Sequence, residues 1–136
     1  MSNVRVLVDR YVAIWNEPDA GRRRRTVAGL WSEDALHLLQ PPQATRDAAG
    51  ALAVEAVFQA RGHEELDARV THAYEEFVAS GGYSFRSRGE AMRLGDVVKF
   101  RWEMVSKSGD VAGVRLEFLI LAADGRIRID YQFIET

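Results

Sequence analysis

The strongest constraint on this chain lies near its C-terminal end, where Gly113 to Glu135 reads GVRLEFLILAADGRIRIDYQFIE. Two apolar runs flank Ala123-Asp124-Gly125, and Asp-Gly between such runs signals a hairpin. The first run is apolar on both faces: Val114, Leu116, Phe118 and Ile120 alternate with Leu119 and Leu121. A strand of that kind is covered on both sides. Glu117 interrupts the second face, among leucines. A carboxylate there needs a partner or keeps its proton, because losing water without compensation is expensive. Arg115, two residues back on the same face, is one candidate partner; an edge position open to solvent is the other arrangement.

The rest of the composition narrows the class. With 136 residues and 47% apolar content, the chain is read as one domain, residues 1–136, with a real core. A net charge of −2 and a pI near 5.9 argue against nucleic acid as the main partner. The absence of cysteine removes disulfides, thiolate metal sites and thiol nucleophiles. No apolar run approaches the roughly 20 residues of a spanning helix, and MSNVRVLVDRY lacks an apolar signal core. The expectation is a cytoplasmic protein with no membrane partner.

Val4, Leu7, Val8, Tyr11, Val12 and Trp15 recur at helical spacing, capped by Ser2 or Asn3 and ended by Asn16-Glu17-Pro18. Asp19 caps a second helix through Leu30, whose Arg22–Arg25 run reads as a solvated face, since four consecutive residues fan around most of a helix. Ala35 to Gln40 is a strand stopped by Pro41-Pro42, with Ala35, His37 and Leu39 on one face and Leu36, Leu38 and Gln40 on the other. Arg46 to Leu52 reads as a helical turn or two, and Val54 to Ala60 as a short strand. A clear helix, His63 to Ala79, ends at Gly81-Gly82. The period then changes to two: Tyr83 to Leu94, bulged at Gly89, Val97 to Val105, and the final hairpin. Helices segregated from an antiparallel meander mean α+β. Helices cover only one sheet face, so the apolar outer row of the 114–121 strand points to a second subunit.

Metal and nucleophile motifs are missing. His63-Glu64-Glu65-Leu66-Asp67 starts like a zincin helix but lacks the second histidine one turn on. There is no Gly-rich phosphate loop and no serine in a nucleophile elbow, and Asp124-Gly125 lacks the ligand spacing of a calcium loop.

With these elements placed, the sequence resembles the nuclear transport factor 2-like (NTF2-like) superfamily, in particular its SnoaL-like and ketosteroid-isomerase-like branch. Val8-Asp9-Arg10-Tyr11-Val12-Ala13, followed by Trp15-Asn16, is similar to the first helix of bacterial ketosteroid isomerases. Leu30-Trp31-Ser32-Glu33-Asp34-Ala35, running to Pro41, resembles the family's helix-to-strand junction. Leu116 to Ile127 resembles its penultimate hairpin, and Gly62-His63-Glu64-Glu65-Leu66 fits the start of its long third helix.

The resemblance implies an α+β cone: three N-terminal helices packed in a curved, mixed, mainly antiparallel sheet, with an apolar pocket and a homodimer through the outer sheet face. Tyr11 matches the isomerase's oxyanion-hole tyrosine, and Glu117 falls at the second oxyanion donor, a protonated aspartic acid in that enzyme. The isomerase's base is replaced by Gln40 or Leu39, and neither an amide nor an alkyl group takes a proton from carbon. Among related branches, SnoaL-type cyclases use a pocket acid, and limonene-type epoxide hydrolases an Asp-Arg-Asp group. Asp130 falls near the last acid of those hydrolases, yet alternates out of phase with Ile127, Ile129, Tyr131 and Phe133, and is expected to face outward.

The expected protein binds a small, largely apolar carbonyl compound in a pocket lined by Tyr11, Trp15, Gln40, Phe100, Trp102, Glu117 and Tyr131. Glu117 would act as acid/base with Tyr11 as donor, in an isomerisation, cyclisation or dehydration that needs no cofactor and no metal. A non-catalytic ligand-binding or dimerisation module is the competing class.

Overall fold

A computed structural model describes residues 3–135. Helices α1 (Val4–Asn16) and α2 (Ala20–Leu30) lead into strand β1 (Trp31–Leu39). A short α3 (Gln43–Ala51), β2 (Phe58–Arg61) and α4 (Gly62–Ala73) follow, and α4 continues into a π-helical turn, Tyr74–Ala79. Strands β3 (Ser84–Leu94), β4 (Val97–Val105), β5 (Val111–Leu121) and β6 (Ile127–Glu135) complete the chain. Asn3 caps α1 by accepting the Arg5 N–H at 2.8 Å, whereas Ser2, the alternative cap, lies outside the described residues. Asp19 caps α2 in the same way, accepting from Arg22 N–H at 2.7 Å.

The six strands form one sheet in the order β2-β1-β6-β5-β4-β3, with β1 parallel to β6 and every other neighbour antiparallel. Four irregularities bend it, one of them between Met104 and Val105 where β4 pairs with β5. At Gly89, with φ of 69°, the pairing of β3 with β4 slips between Arg88 and Met92. The β1–β6 register shifts between Trp31 and Leu36. In the final hairpin Ile120 faces Ile129 while Leu121 faces Ile127, so Arg128 is an extra residue in β6. Helices α1, α2 and α4 fill the concave side. Val8, Tyr11, Val12 and Trp15 from α1 and Leu66 and Val70 from α4 share one core cluster with Phe100, Trp102, Leu119 and Leu121.

Two local expectations are corrected. Residues 54–57 are not strand: β1 ends before Pro41-Pro42, its last pair with β2 is Leu39 to Phe58, and the earlier residues have no edge to bond. The arginine run is not a uniformly solvated face. Arg23 is only 4% exposed; it donates to the Glu17 carbonyl at 2.7 Å, and its guanidinium lies 4.9 Å over the Tyr74 ring.

Candidate functional site

Alternation along β5 sends Glu117, Leu119 and Leu121 to the concave side, and Leu116, Phe118 and Ile120 to the convex one. Glu117 is fully buried, and so is Tyr11, one helical turn before Trp15 on α1. The Tyr11 hydroxyl lies 3.1 Å from Glu117 Oε2, and the Trp102 indole N–H donates to Glu117 Oε1 at 2.9 Å.

The third member of the cluster is Asp130, against the expectation that it faces outward. Arg128 is the cause: the extra residue reverses the alternation of β6, so Ile127 points inward and then Asp130 and Gln132 do. Asp130 is fully buried, and its Oδ2 accepts from the Tyr11 hydroxyl at 2.7 Å. Its other oxygen, Oδ1, is buried with no hydrogen-bond partner. One hydroxyl thus sits between two acids. The group between them is a tyrosine, and neither acid is ion-paired to an arginine among the described residues, so the hydrolases' Asp-Arg-Asp group is not formed.

His37 extends the network toward open space. Arg69 NH1 lies 3.0 Å from its Nδ1, and a guanidinium only donates, so Nδ1 accepts and Nε2 carries the proton. That N–H donates to Gln132 Oε1 at 3.0 Å and lies 3.8 Å from Asp130 Oδ2. His37, Glu117 and Asp130 each bring a potential metal-ligand atom within 4.8 Å of one another, but Tyr11 already bridges the two acids and Gln132 takes the imidazole N–H.

Electrostatics follow from burial. Desolvation, then the Asp130 charge beside it, pushes the Glu117 carboxyl well above the ordinary 4.5, while the Trp102 and Tyr11 hydrogen bonds pull weakly the other way. Glu117 therefore keeps its proton where an exposed glutamate has lost it. Burial and the two neighbouring acids hold the Tyr11 hydroxyl protonated, and burial lowers His37 below its usual 6.5, leaving a neutral imidazole.

Above this cluster lies a cavity of about 730 Å³. Of the expected lining residues, Trp15, Gln40 and Trp102 border it. Tyr11 and Glu117 sit one layer deeper and do not. Phe100 does not either: it is core, edge-on to Tyr11 with ring centroids 5.2 Å apart. Tyr131 is on the convex face, sent there by the same bulge that turns Asp130 inward, and borders a separate groove with Val57 and Phe133. Gln40, at the isomerase's base position, is tied into the sheet; its Oε1 accepts from Ile134 N–H at 2.9 Å. The structure adds lining residues that the sequence reading missed: His37, Arg69, Arg115 and Gln132, with Phe77 brought in by the π-helical turn.

No family model matches the sequence, and no curated protein does. Solved structures do. A SnoaL-like family protein of Agrobacterium tumefaciens, provisionally named an isomerase, superposes with a TM-score of 0.80 at 25% identity, covering 100% of both chains. A SnoaL-like protein of unknown function from Burkholderia thailandensis has a TM-score of 0.62 at 12% identity, covering 98% of this chain and 95% of that one. A protein of Sinorhizobium meliloti, provisionally named a polyketide cyclase, has a TM-score of 0.60 at 14% identity and 93% coverage of each chain. The cone-like fold, the residues quoted from the sequence and the full-length match place this chain in the NTF2-like superfamily, and the solved structures it is similar to include SnoaL-like proteins.

Proposed function

We propose that this chain is a cofactor-independent enzyme that moves a proton on a small carbonyl compound, in an isomerase- or cyclase-type reaction. The observation that carries the reading is the Tyr11 hydroxyl held between two fully buried acids, 2.7 Å from Asp130 and 3.1 Å from Glu117, directly beneath a cavity. Such a cluster is costly to bury and adds no packing that leucines would not supply better. It is suited to storing one proton in a dry site and releasing it when charge develops nearby.

Glu117 is the proton reservoir in this scheme, and Tyr11 relays between the acids. His37 brings the network to the cavity wall, with Asp130 3.8 Å from its N–H. Trp102 fixes the Glu117 carboxyl and closes it off from water. Names given to the Agrobacterium and Sinorhizobium proteins, an isomerase and a polyketide cyclase, support the same reaction class. We also infer self-association through the convex face, where Leu116, Phe118 and Ile120 form an apolar row beside Phe133, which is 43% exposed.

The test is solvent-deuterium incorporation, followed by proton NMR, across a panel of cyclic and acyclic ketones and β-dicarbonyls. Wild type should exchange at least one of them at the carbon next to the carbonyl, and Glu117→Gln should reduce that rate at least tenfold, the lower range for acid–base catalysis being about a hundredfold. Exchange that is absent throughout, or unchanged in Glu117→Gln, would leave the non-catalytic binding module as the better account.

A further inference from the structure

The cavity wall is rich in donors that the protein does not use. Arg115, on β5 two residues before Glu117, makes one side-chain hydrogen bond, to the neighbouring Val114 carbonyl through NH1. Arg69 spends only NH1, on His37 and on the Phe58 carbonyl. Neither guanidinium has a carboxylate within 4.0 Å among the described residues. Trp15 also borders the cavity, is 4% exposed, and its indole N–H is buried with no acceptor.

The acids at the same wall are already matched. Glu103 takes Arg86 at 2.7 Å and Arg88 at 3.4 Å, and the exposed Glu76 has the His72 ring nitrogen at 2.9 Å as a hydrogen-bond partner. Half-buried guanidiniums facing a cavity without a counter-ion are expensive, as is a buried indole N–H without an acceptor. The shortage is of acceptors and negative charge. Phe77, Phe85 and Met104 make the remaining wall apolar.

We propose that the cavity takes an organic acid, an apolar body carrying a carboxylate, with the carboxylate anchored by Arg115 and supported by Arg69. This narrows the expected small, largely apolar ligand to an amphipathic one. A planar guanidinium offers a carboxylate two parallel N–H donors, and the low-dielectric wall strengthens that pairing. The inference shares with the proposed function only the premise that this cavity is the ligand site; it does not require turnover.

The experiment is isothermal titration calorimetry of the full chain with 2-naphthoate, its near-isosteric neutral counterpart 2-naphthamide, and decanoate. At least one acid should bind, and naphthoate should bind at least tenfold more tightly than the amide, as one charge-assisted hydrogen bond implies. Arg115→Gln should remove most of that preference while leaving amide binding within about twofold, and Arg115→Lys should restore part of it. Arg69→Gln should weaken the acid by a smaller factor. Equal binding of acid and amide, no binding of either acid, or an undiminished preference in the folded Arg115→Gln variant would overturn the proposal. Loss of deuterium exchange in Glu117→Gln is a separate readout, so either reading can fail alone.

Discussion

Replacing Glu117 with glutamine is expected to make the protein more stable than wild type as the pH rises above the ordinary glutamate value of 4.5. The amide keeps the shape of a protonated carboxyl: its oxygen still accepts from Trp102, and its NH₂ is placed to donate to Tyr11 or Asp130. The charged form is what the site rejects, through desolvation first and the Asp130 charge second. Since the folded pKa is raised, the folded chain holds a proton that the unfolded chain has released. The stability associated with Glu117 is therefore complete below 4.5 and is lost as pH rises toward the folded value.

The loss amounts to about 1.4 kcal/mol for each pH unit through which the folded carboxyl keeps its proton. The glutamine variant has no such proton to lose. His37 contributes in wild type and variant alike, because its lowered folded pKa costs stability as pH falls below its usual 6.5, with the opposite sign. Taking the difference between variant and wild type removes that contribution. Urea unfolding at closely spaced pH values between about 4.5 and 7 gives the difference directly. It should be near zero at the acid end and widen with pH, by about 1.4 kcal/mol per unit, until the folded carboxyl itself titrates. A constant difference, or one that turns against the variant as pH rises, would mean that Glu117 is ionised in the fold.

Two further outcomes follow from the fold. Arg23→Gln should cost about 1–2 kcal/mol in chemical denaturation, since it loses a charge-assisted bond to the Glu17 carbonyl and the stacking on Tyr74, whereas exposed Arg24→Gln should stay within about 0.5 kcal/mol. Phe118→Glu places a charge in the convex apolar row and should shift a dimer to monomer in analytical ultracentrifugation; a wild type that sediments as a monomer at micromolar concentration would dismiss that interface.

Much of the fold was legible because its periods are clean. The α1 stripe and the alternation of β5 put Tyr11 and Glu117 on buried faces, and both are fully buried. Asp130 was misread because Ile127-Arg128-Ile129 looks like unbroken alternation, and a bulge at an arginine leaves no glycine or proline to mark it. Tyr131 was misplaced by the same slip, and Gln132, which meets His37 because of it, was not foreseen. His37 was assigned a face with Ala35 and Leu39, but which face turns inward depends on the parallel pairing of β1 with β6, a contact between segments far apart in sequence. Arg115 was anticipated as a partner for Glu117. Alternation placed it on the right face, but only the three-dimensional arrangement shows that it leaves the acid alone and borders the cavity.

The central claim is that the fully buried Glu117 carboxyl keeps its proton, beside Tyr11. The most direct measurement is carbon-13 NMR of protein labelled at the glutamate side-chain carboxyl, with the Glu117 resonance assigned by its disappearance in Glu117→Gln. At a pH just above 4.5, where the exposed glutamates have already moved to the position of carboxylates, that resonance should still sit at that of a protonated acid. A Glu117 signal that moves with the exposed glutamates near pH 4.5 would contradict the account.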